Sequence, residues 1–121
     1  MEGFRAAVEA RDIDAMVACL SEDVRLNSPI AFKPFEGREA VRALFDILIN
    51  HAFEDFRYTD ELHGDGVHTL IFRARIGDRD VEGIDILRPG PDGLVSDFTV
   101  MVRPMSGLQA LLKAVGARLV K

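Results

Sequence analysis

The sequence predicts an α+β fold, with helices packed on the concave face of a curved, mostly antiparallel sheet. Up to residue 52, and again from residue 106, apolar residues recur with the period of a helix. Between residues 53 and 103 they alternate with a period of two, and runs rich in glycine, proline and aspartate interrupt the alternation. Helices followed by consecutive hairpins favour the α+β class, with the helices packed on one face of a single sheet.

Composition limits the classes of protein that fit. A chain of 121 residues fits one domain, residues 1–121, and its 48% hydrophobic and 29% charged content is typical of a globular protein. The net charge of −5 argues against nucleic acid and anionic membranes as partners. With Cys19 alone no intrachain disulfide forms, and neither a signal peptide nor a transmembrane stretch is recognisable, so we expect a cytoplasmic protein.

The first half of the chain reads as helix, strand, loop and helix. Two short helices open it, the second behind Asp12 as its N-cap. Residues 24–27 form a predicted strand that ends at 28–29, because the proline there lacks a donor for the strand ladder. A loop over 30–36 is followed by a helix from Gly37.

The second half reads as a meander and a final helix. A capping box formed by Ser106 and Gln109 predicts where that helix begins. The predicted strands cover residues 53–63, 67–76, 81–88 and 94–103.

Two aspartates stand out in the last two predicted strands. Asp85 and Asp97 each lie among apolar neighbours, and residues of matching parity in a hairpin share a face. We therefore expect both carboxylates to point into one pocket. A carboxylate that faces an apolar cavity is costly unless it is paired, and its pKa is commonly perturbed, which suits it to act as an acid or a base.

These two strands are apolar on both faces. One face can cover the helices and the pocket, and the other would be exposed on a monomer. Because an exposed apolar patch usually marks an interface, we predict a homodimer through the outer sheet face. The patch is predicted to contain Ile84, Ile86, Phe98, Val100 and Val102.

Several features of the chain occur together: the order of elements, the stretch 11–20 followed by Asp23, the Ser28-Pro29 loop, the segment 35–41 and the aspartates of the last strands. In these features the chain resembles the SnoaL-like branch of the nuclear-transport-factor-2-like superfamily. The resemblance implies a cone-shaped α+β barrel with a deep apolar cavity, often dimeric through its sheet. Ketosteroid isomerases, limonene-epoxide hydrolases, polyketide cyclases, dehydratases and non-catalytic binding modules share this fold, so the fold alone does not give the function.

Comparison with the ketosteroid isomerases argues against that activity. Asp85 falls where the resemblance implies a protonated aspartic acid in an oxyanion hole. However, Phe4 and Ser28 stand where those enzymes have a tyrosine and the general-base aspartate.

The epoxide hydrolases match better. The resemblance implies that Asn27 orients water, Asp85 is the general acid and Asp97 the general base. Gly83 stands where an arginine bridges the two acids, and Arg25 where a tyrosine binds water. One hypothesis is that Arg25 supplies the missing positive charge. The resemblance to polyketide cyclases of the SnoaL type implies instead that Asp97 alone is the base, with Asp85 as a supporting acid.

The sequence thus predicts a pocket for a small, mostly apolar ligand with an oxygen function, with no metal and no cofactor. If the protein is an enzyme, it uses the aspartate pair. The alternative is a non-catalytic binding or dimerisation module in which Asp85 pairs with Arg25 or Arg103. The residues expected to contact the ligand are Arg25, Ser28, His68, Phe72, Thr99 and Met101.

Overall fold

The computed structural model of the chain describes residues 2–119. Over this range the helices are α1 (Glu2–Glu9), α2 (Ile13–Ala18), α3 (Arg38–Ile47) and α4 (Met105–Leu119), and α3 continues into a π-helical turn, Leu48–Ala52. The strands are β1 (Leu20–Asn27), β2 (Phe35–Glu36), β3 (Glu54–Gly64), β4 (Val67–Ile76), β5 (Arg79–Pro89) and β6 (Val95–Arg103).

All six strands belong to one curved, unclosed sheet in the order β2-β1-β6-β5-β4-β3. β1 runs parallel to β6, and every other neighbouring pair is antiparallel. The predicted α+β class is therefore confirmed. Among residues 2–119 no helix is long and apolar enough to cross a membrane.

Local sequence signals account for the first half of the chain. Asp12 caps α2 by accepting a hydrogen bond from the Ala15 N–H at 3.1 Å, as predicted. β1 ends at Asn27, directly before the Ser28-Pro29 pair. Inside the predicted loop, Phe35 pairs with Leu26 and so forms the two-residue strand β2.

The start of α4 differs from the predicted capping box. α4 begins at Met105, and the Leu108 N–H donates to the Pro104 carbonyl at 2.9 Å. Ser106 therefore lies inside the first turn and is not the residue that precedes it.

Three phenylalanines join the helices to the concave face of the sheet. The ring of Phe98 on β6 contacts those of Phe4 on α1 and Phe45 on α3, with centroids 5.2 and 5.8 Å apart. Phe4 and Phe45 also contact each other at 5.8 Å. All three rings are buried, so this cluster fixes α1 and α3 against the sheet.

The pairing of β5 with β6 decides which residues face this core. Leu87 lies opposite Phe98 and Asp85 opposite Val100, so these four side chains share the concave face. Phe98 and Val100 are only 2% and 8% exposed, and their predicted place in an outer patch is wrong. Because β6 is apolar on both faces, alternation did not identify its inner face.

Gly83 on β5 leaves room for an aromatic ring. A Cβ built at Gly83 would overlap the ring of Phe72, which lies opposite it on β4 and is 1% exposed. Phe72 is in turn held between Phe53 and Phe56, at 5.5 and 4.8 Å. A side chain at position 83 and this aromatic packing therefore exclude each other.

We expect Gly83→Ala to destabilise the fold, because the buried Phe72 ring has to move out of its packed position. Overpacking of this kind costs about 1–3 kcal/mol. Chemical denaturation followed by circular dichroism measures the loss. The control is Gly116→Ala in α4, where an added Cβ meets no atom within 4 Å and alanine favours the helix. Equal stability of the two variants would contradict this account of Gly83.

Candidate functional site

A small cavity lies between the concave face of the sheet, α1, and the junction of α3 with the π-helical turn. Its volume is about 40 Å³, and its lining is aromatic and aliphatic apart from the hydroxyl of Tyr58 and the carboxyl of Asp85. The lining residues are Phe4, Val8, Met16, Phe45, Leu48, Ile49, Phe53, Phe56, Tyr58, Phe72, Asp85, Phe98 and Val100.

Asp85 is held by one hydrogen bond. The Tyr58 hydroxyl donates to its Oδ2 at 3.1 Å, and Asp85 is 6% exposed. No described residue donates to the other oxygen, Oδ1. Within residues 2–119 Asp85 has no ion-pair partner, so the expected alternative of a structural pair with Arg25 or Arg103 is wrong: Arg103 contacts Glu82 instead.

Burial dominates the protonation of this pair. Removal from water raises the pKa of Asp85 to about 7, although the hydrogen bond from Tyr58 acts in the opposite direction. Burial, together with the nearby Asp85 charge, also raises the pKa of the Tyr58 phenol. At neutral pH the cavity therefore contains a phenol and a carboxyl that is protonated in a large fraction of molecules.

Tyr58 is a site residue that the sequence analysis missed. It is the one tyrosine of the chain and lies opposite Phe72, on the concave face. The register between β3 and β4 shifts between Tyr58 and Asp60, so alternation along β3 does not hold through this point. The sequence did contain one signal, because the chain's single tyrosine lies in a predicted strand of the sheet that contains Asp85. Tyr58 supplies a phenol to the site, although Phe4 stands where the ketosteroid isomerases have their tyrosine.

A second polar group lies under α1, close to this pair. His68 on β4 is 4% exposed, and its Nε2 lies 2.7 Å from Glu61 Oε2 on β3. The other oxygen of Glu61 accepts a hydrogen bond from Arg5 of α1 at 2.8 Å. The Arg5 guanidinium also lies over the Tyr58 ring, 5.7 Å from its centroid.

Asp97 lies on the opposite face of the sheet from Asp85. In the strand register it lies opposite Arg88 of β5 and Arg25 of β1. Val100, which lies opposite Asp85 and points inward, is three residues further along β6, so the side chain of Asp97 points to the other face. The expectation that both carboxylates enter one pocket is therefore wrong. Register determines this outcome, because a shift of one residue moves a side chain to the other face.

Asp97 belongs to a polar cluster on this outer face. Its Oδ1 accepts from Asn27 Nδ2 at 3.3 Å, and its Oδ2 accepts from the Thr99 hydroxyl at 3.4 Å. Asn27 Nδ2 also donates to Thr99 Oγ1 at 3.0 Å. The structure thus brings Asn27, Asp97 and Thr99 together, but away from Asp85.

The other predicted contact residues are divided between the two faces. Phe72 lines the cavity, whereas Met101 is 53% exposed on the outer face. Arg25 is exposed beside Asp97, so it does not supply charge to Asp85. The Ser28 hydroxyl accepts from the Ile30 N–H at 3.4 Å and lines a separate cavity of about 20 Å³.

The described part of the chain contains no group of three or more His, Cys, Asp or Glu placed to hold a metal ion.

Replacement of Asp85 tests the effect of burial. Because its pKa is raised in the folded state, the folded protein keeps a proton that the unfolded chain releases above about pH 4. The stability that Asp85 contributes therefore falls as pH rises from about 4 to 7, and stays low above. We expect Asp85→Asn to become more stable than the wild type, by a few kcal/mol at pH 8 but not at pH 4. Urea denaturation across this range measures the difference, with Asp65→Asn in the exposed β3–β4 turn as control. A difference independent of pH would contradict the prediction.

Solved structures of several other proteins have a fold similar to that of this chain. No curated protein matches it. A crystal structure of a steroid delta-isomerase from Pseudomonas aeruginosa is 40% identical, with a TM-score of 0.88 over 94% of this chain and 84% of that one. An uncharacterised protein with a cystatin-like fold from Silicibacter pomeroyi is 30% identical, with a TM-score of 0.92 over 99% and 84%. A computationally designed 17-OHP binder, 16% identical, shares the fold with a TM-score of 0.68 over 88% of each chain.

The family model described as the SnoaL-like domain matches residues 1–103, which include both helices of the N-terminus and all six strands. This confirms the predicted resemblance. The chain belongs to the SnoaL-like domain family.

Proposed function

We propose that the chain binds a small, mostly apolar ligand through one oxygen function, and that Asp85 is the group that contacts this oxygen. The observation that carries the proposal is the single buried carboxyl in a cavity whose lining is otherwise apolar, except for Tyr58. Ligand sites commonly combine such a lining with a few placed polar groups. The relative described as a steroid delta-isomerase supports a ketone as the ligand class.

The hydrogen bond from Tyr58 leaves Oδ1 of Asp85 for the ligand. In its protonated form, the carboxyl can donate to a carbonyl or epoxide oxygen, while the Tyr58 hydroxyl stays on Oδ2. A carboxylic acid kept neutral by an apolar site can donate a hydrogen bond to such oxygens. In its ionised form, the same atom accepts a hydrogen bond from a hydroxyl.

The cavity must widen before it takes an organic ligand, since about 40 Å³ holds only water molecules. The neighbouring cavity beside Ser28 shares three walls with it, Leu48, Phe53 and Val100. Leu48 begins the π-helical turn, and the Phe53 N–H closes it by donating to the Leu48 carbonyl at 2.8 Å. A rearrangement of this turn would join the two spaces, and π-turns are frequent at functional sites.

A second candidate function is acid–base catalysis on the bound ligand, without a cofactor. Asp85 would donate to the oxygen of the reacting group, in epoxide-hydrolase-like, polyketide-cyclase-like or isomerase-like chemistry. The raised pKa of Asp85 favours this role, because it keeps the acid form available near neutral pH. Asp97 and Asn27 lie on the outer face and give this candidate no support.

The binding proposal predicts discrimination between a ketone and its hydrocarbon analogue. We expect the wild type to bind 2-tetralone about fivefold more tightly than tetralin, because a buried hydrogen bond contributes roughly 1 kcal/mol. Asp85→Leu should remove this preference while it keeps the apolar contacts. Isothermal titration calorimetry measures both affinities.

Asp97→Leu is the matched control, since it removes an aspartate of the same sheet from the other face. It should keep the preference of the wild type for 2-tetralone. Equal affinity of the wild type for the two compounds, or loss of the preference in the Asp97 variant alone, would contradict the proposal.

We also propose that the outer face of the sheet joins two copies of the chain. A row of apolar side chains crosses three strands there, since Ile71 pairs with Ile84 and Ile84 with Met101. These residues line an open depression of about 300 Å³, and Met101 is 53% exposed. An exposed apolar row of this kind supports an interface.

Charged rows flank the apolar row and favour a second copy as the partner. On one side Glu82 contacts both Arg73 and Arg103, at 3.3 and 3.5 Å. On the other side Asp97 lies between Arg25 and Arg88 in the strand register. A surface that carries both signs of charge beside an apolar centre can be complementary to its own copy across a two-fold axis.

We therefore predict that sedimentation velocity finds a dimer, and that Met101→Glu converts it to a monomer by placing a charge in the apolar centre. The control is Leu112→Glu, which changes a residue that is 51% exposed on α4 and outside this face. A wild-type protein that sediments as a monomer at high concentration would contradict the prediction, as would dissociation caused equally by both variants.

A further inference from the structure

Arg11 stands at a backbone position that favours glycine. Its φ is 56°, in the left-handed region, at the corner where α1 passes into α2. The Arg11 N–H donates to the Val8 carbonyl and the Asp12 N–H to the Ala7 carbonyl, both at 2.9 Å. These two bonds form a Schellman motif with Arg11 as its left-handed residue, a place that glycine or asparagine usually takes. Because an arginine here has a cost in backbone free energy, its side chain calls for an explanation.

The side chain of Arg11 crosses to the π-helical turn. Its guanidinium donates to the Ile49 carbonyl at 2.6 Å and lies 3.5 Å from Asn50 Oδ1. Ile49 belongs to the last turn of a helix that ends at Ala52, and the carbonyls of a last turn have no following helical N–H to accept from. A cation is also favoured at this end of a helix by the helix dipole. Arg11 therefore caps this helix end from a different part of the chain.

The capped turn is a wall of the cavity that contains Asp85. Leu48, Ile49 and Phe53 line that cavity, and Leu48 and Phe53 also line the smaller neighbouring cavity. Leu48 is half-buried, whereas Ile49 and Phe53 are buried, so this wall reaches the surface at Leu48. α1 forms another wall of the same cavity and ends at the corner that contains Arg11. The contact of Arg11 therefore joins two walls of one cavity.

We propose that Arg11 is a positioning residue of the ligand site, which holds the π-helical turn in place and releases it when a ligand enters. The inference rests on the proposed function, because a cavity of about 40 Å³ has to widen for an organic ligand. Buried packing around Phe98 holds α1 and α3, whereas the exposed side chain of Arg11 caps the turn. The turn is therefore the wall that is easiest to displace, and its displacement opens the space toward the cavity beside Ser28.

This role has a consequence for affinity that a merely structural role does not have. Where a ligand binds only the widened form, its apparent affinity is reduced by the fraction of molecules in that form. The Arg11 contact stabilises the closed form and so lowers this fraction. Its removal should strengthen binding, and equally for a ketone and a hydrocarbon, because Arg11 acts on the turn and not on the ligand's oxygen. Loss of a merely structural contact would weaken binding.

Arg11→Gly tests the proposal, because glycine adopts the left-handed backbone without strain and keeps the corner intact. We expect 2-tetralone and tetralin to bind this variant about three- to tenfold more tightly than the wild type, with the ratio of their affinities unchanged. Isothermal titration calorimetry measures both affinities. The matched control is Arg42→Ala. Arg42 of α3 contacts Asp14 of α2 at 2.6 Å outside the cavity, so its loss should leave both affinities unchanged.

Amide hydrogen exchange followed by NMR gives a test that needs no ligand. The Phe53 N–H closes the turn by donating to the Leu48 carbonyl, so it should exchange about three- to tenfold faster in Arg11→Gly than in the wild type. The amides of β5, a strand inside the sheet, should keep their rates. An unchanged rate at Phe53 would overturn the role of Arg11, as would weaker binding of both compounds.

The two proposals fail in different ways. If 2-tetralone binds with the expected dependence on Asp85, but Arg11→Gly changes neither affinity, the role of Arg11 is overturned and the binding function stands. If neither compound binds to the wild type or to Arg11→Gly, the binding function fails, and the inference that rests on it is overturned as well.

Discussion

The register between β5 and β6 is the constraint on which both faces of the sheet depend. It places Asp85 opposite Val100, so that Asp85 shares the concave face with the phenylalanine cluster around Phe98. The same register sends Asp97 and Met101 outward. A shift of one residue would bury Asp97 under the helices and expose Phe98 to water. Burial of that ring against α1 and α3 therefore fixes which aspartate enters the cavity, and the chemistry of the site follows from packing.

Once Asp85 is inside, two effects act on it in opposite directions. Loss of water raises its pKa, and the hydrogen bond from Tyr58 limits that rise. The balance leaves the carboxyl near its titration point at neutral pH, where it can either donate or accept. Tyr58 is itself placed by aromatic packing, since its ring contacts Phe56 at 5.1 Å and Arg5 lies over it. The apolar cluster thus orients the polar pair.

Period and turn residues were enough to predict the helices, the main strands and the α+β class. They also identified Asp85, because a lone carboxylate between Ile84 and Ile86 is unusual in a strand. They did not identify its partner, since β3 shifts register beside Tyr58 and alternation stops being a guide there. They misplaced Asp97 for a different reason: the choice of inner face on β6 is made by contacts with helices far away in sequence, which alternation does not contain.

Gly83 shows why functional residues could not be carried over from the epoxide hydrolases one by one. The arginine expected at this position needs space that the Phe72 ring occupies, and Phe72 is fixed by two further aromatic rings. An arginine here would also stand beside one acid, because Asp97 is on the other side of the sheet. A bridging arginine therefore requires both an acid pair on one face of the sheet and an open space over β5. This chain has a different arrangement. The Phe72 ring occupies the space above Gly83, and the Tyr58 phenol is the hydrogen-bond partner of Asp85 on the concave face.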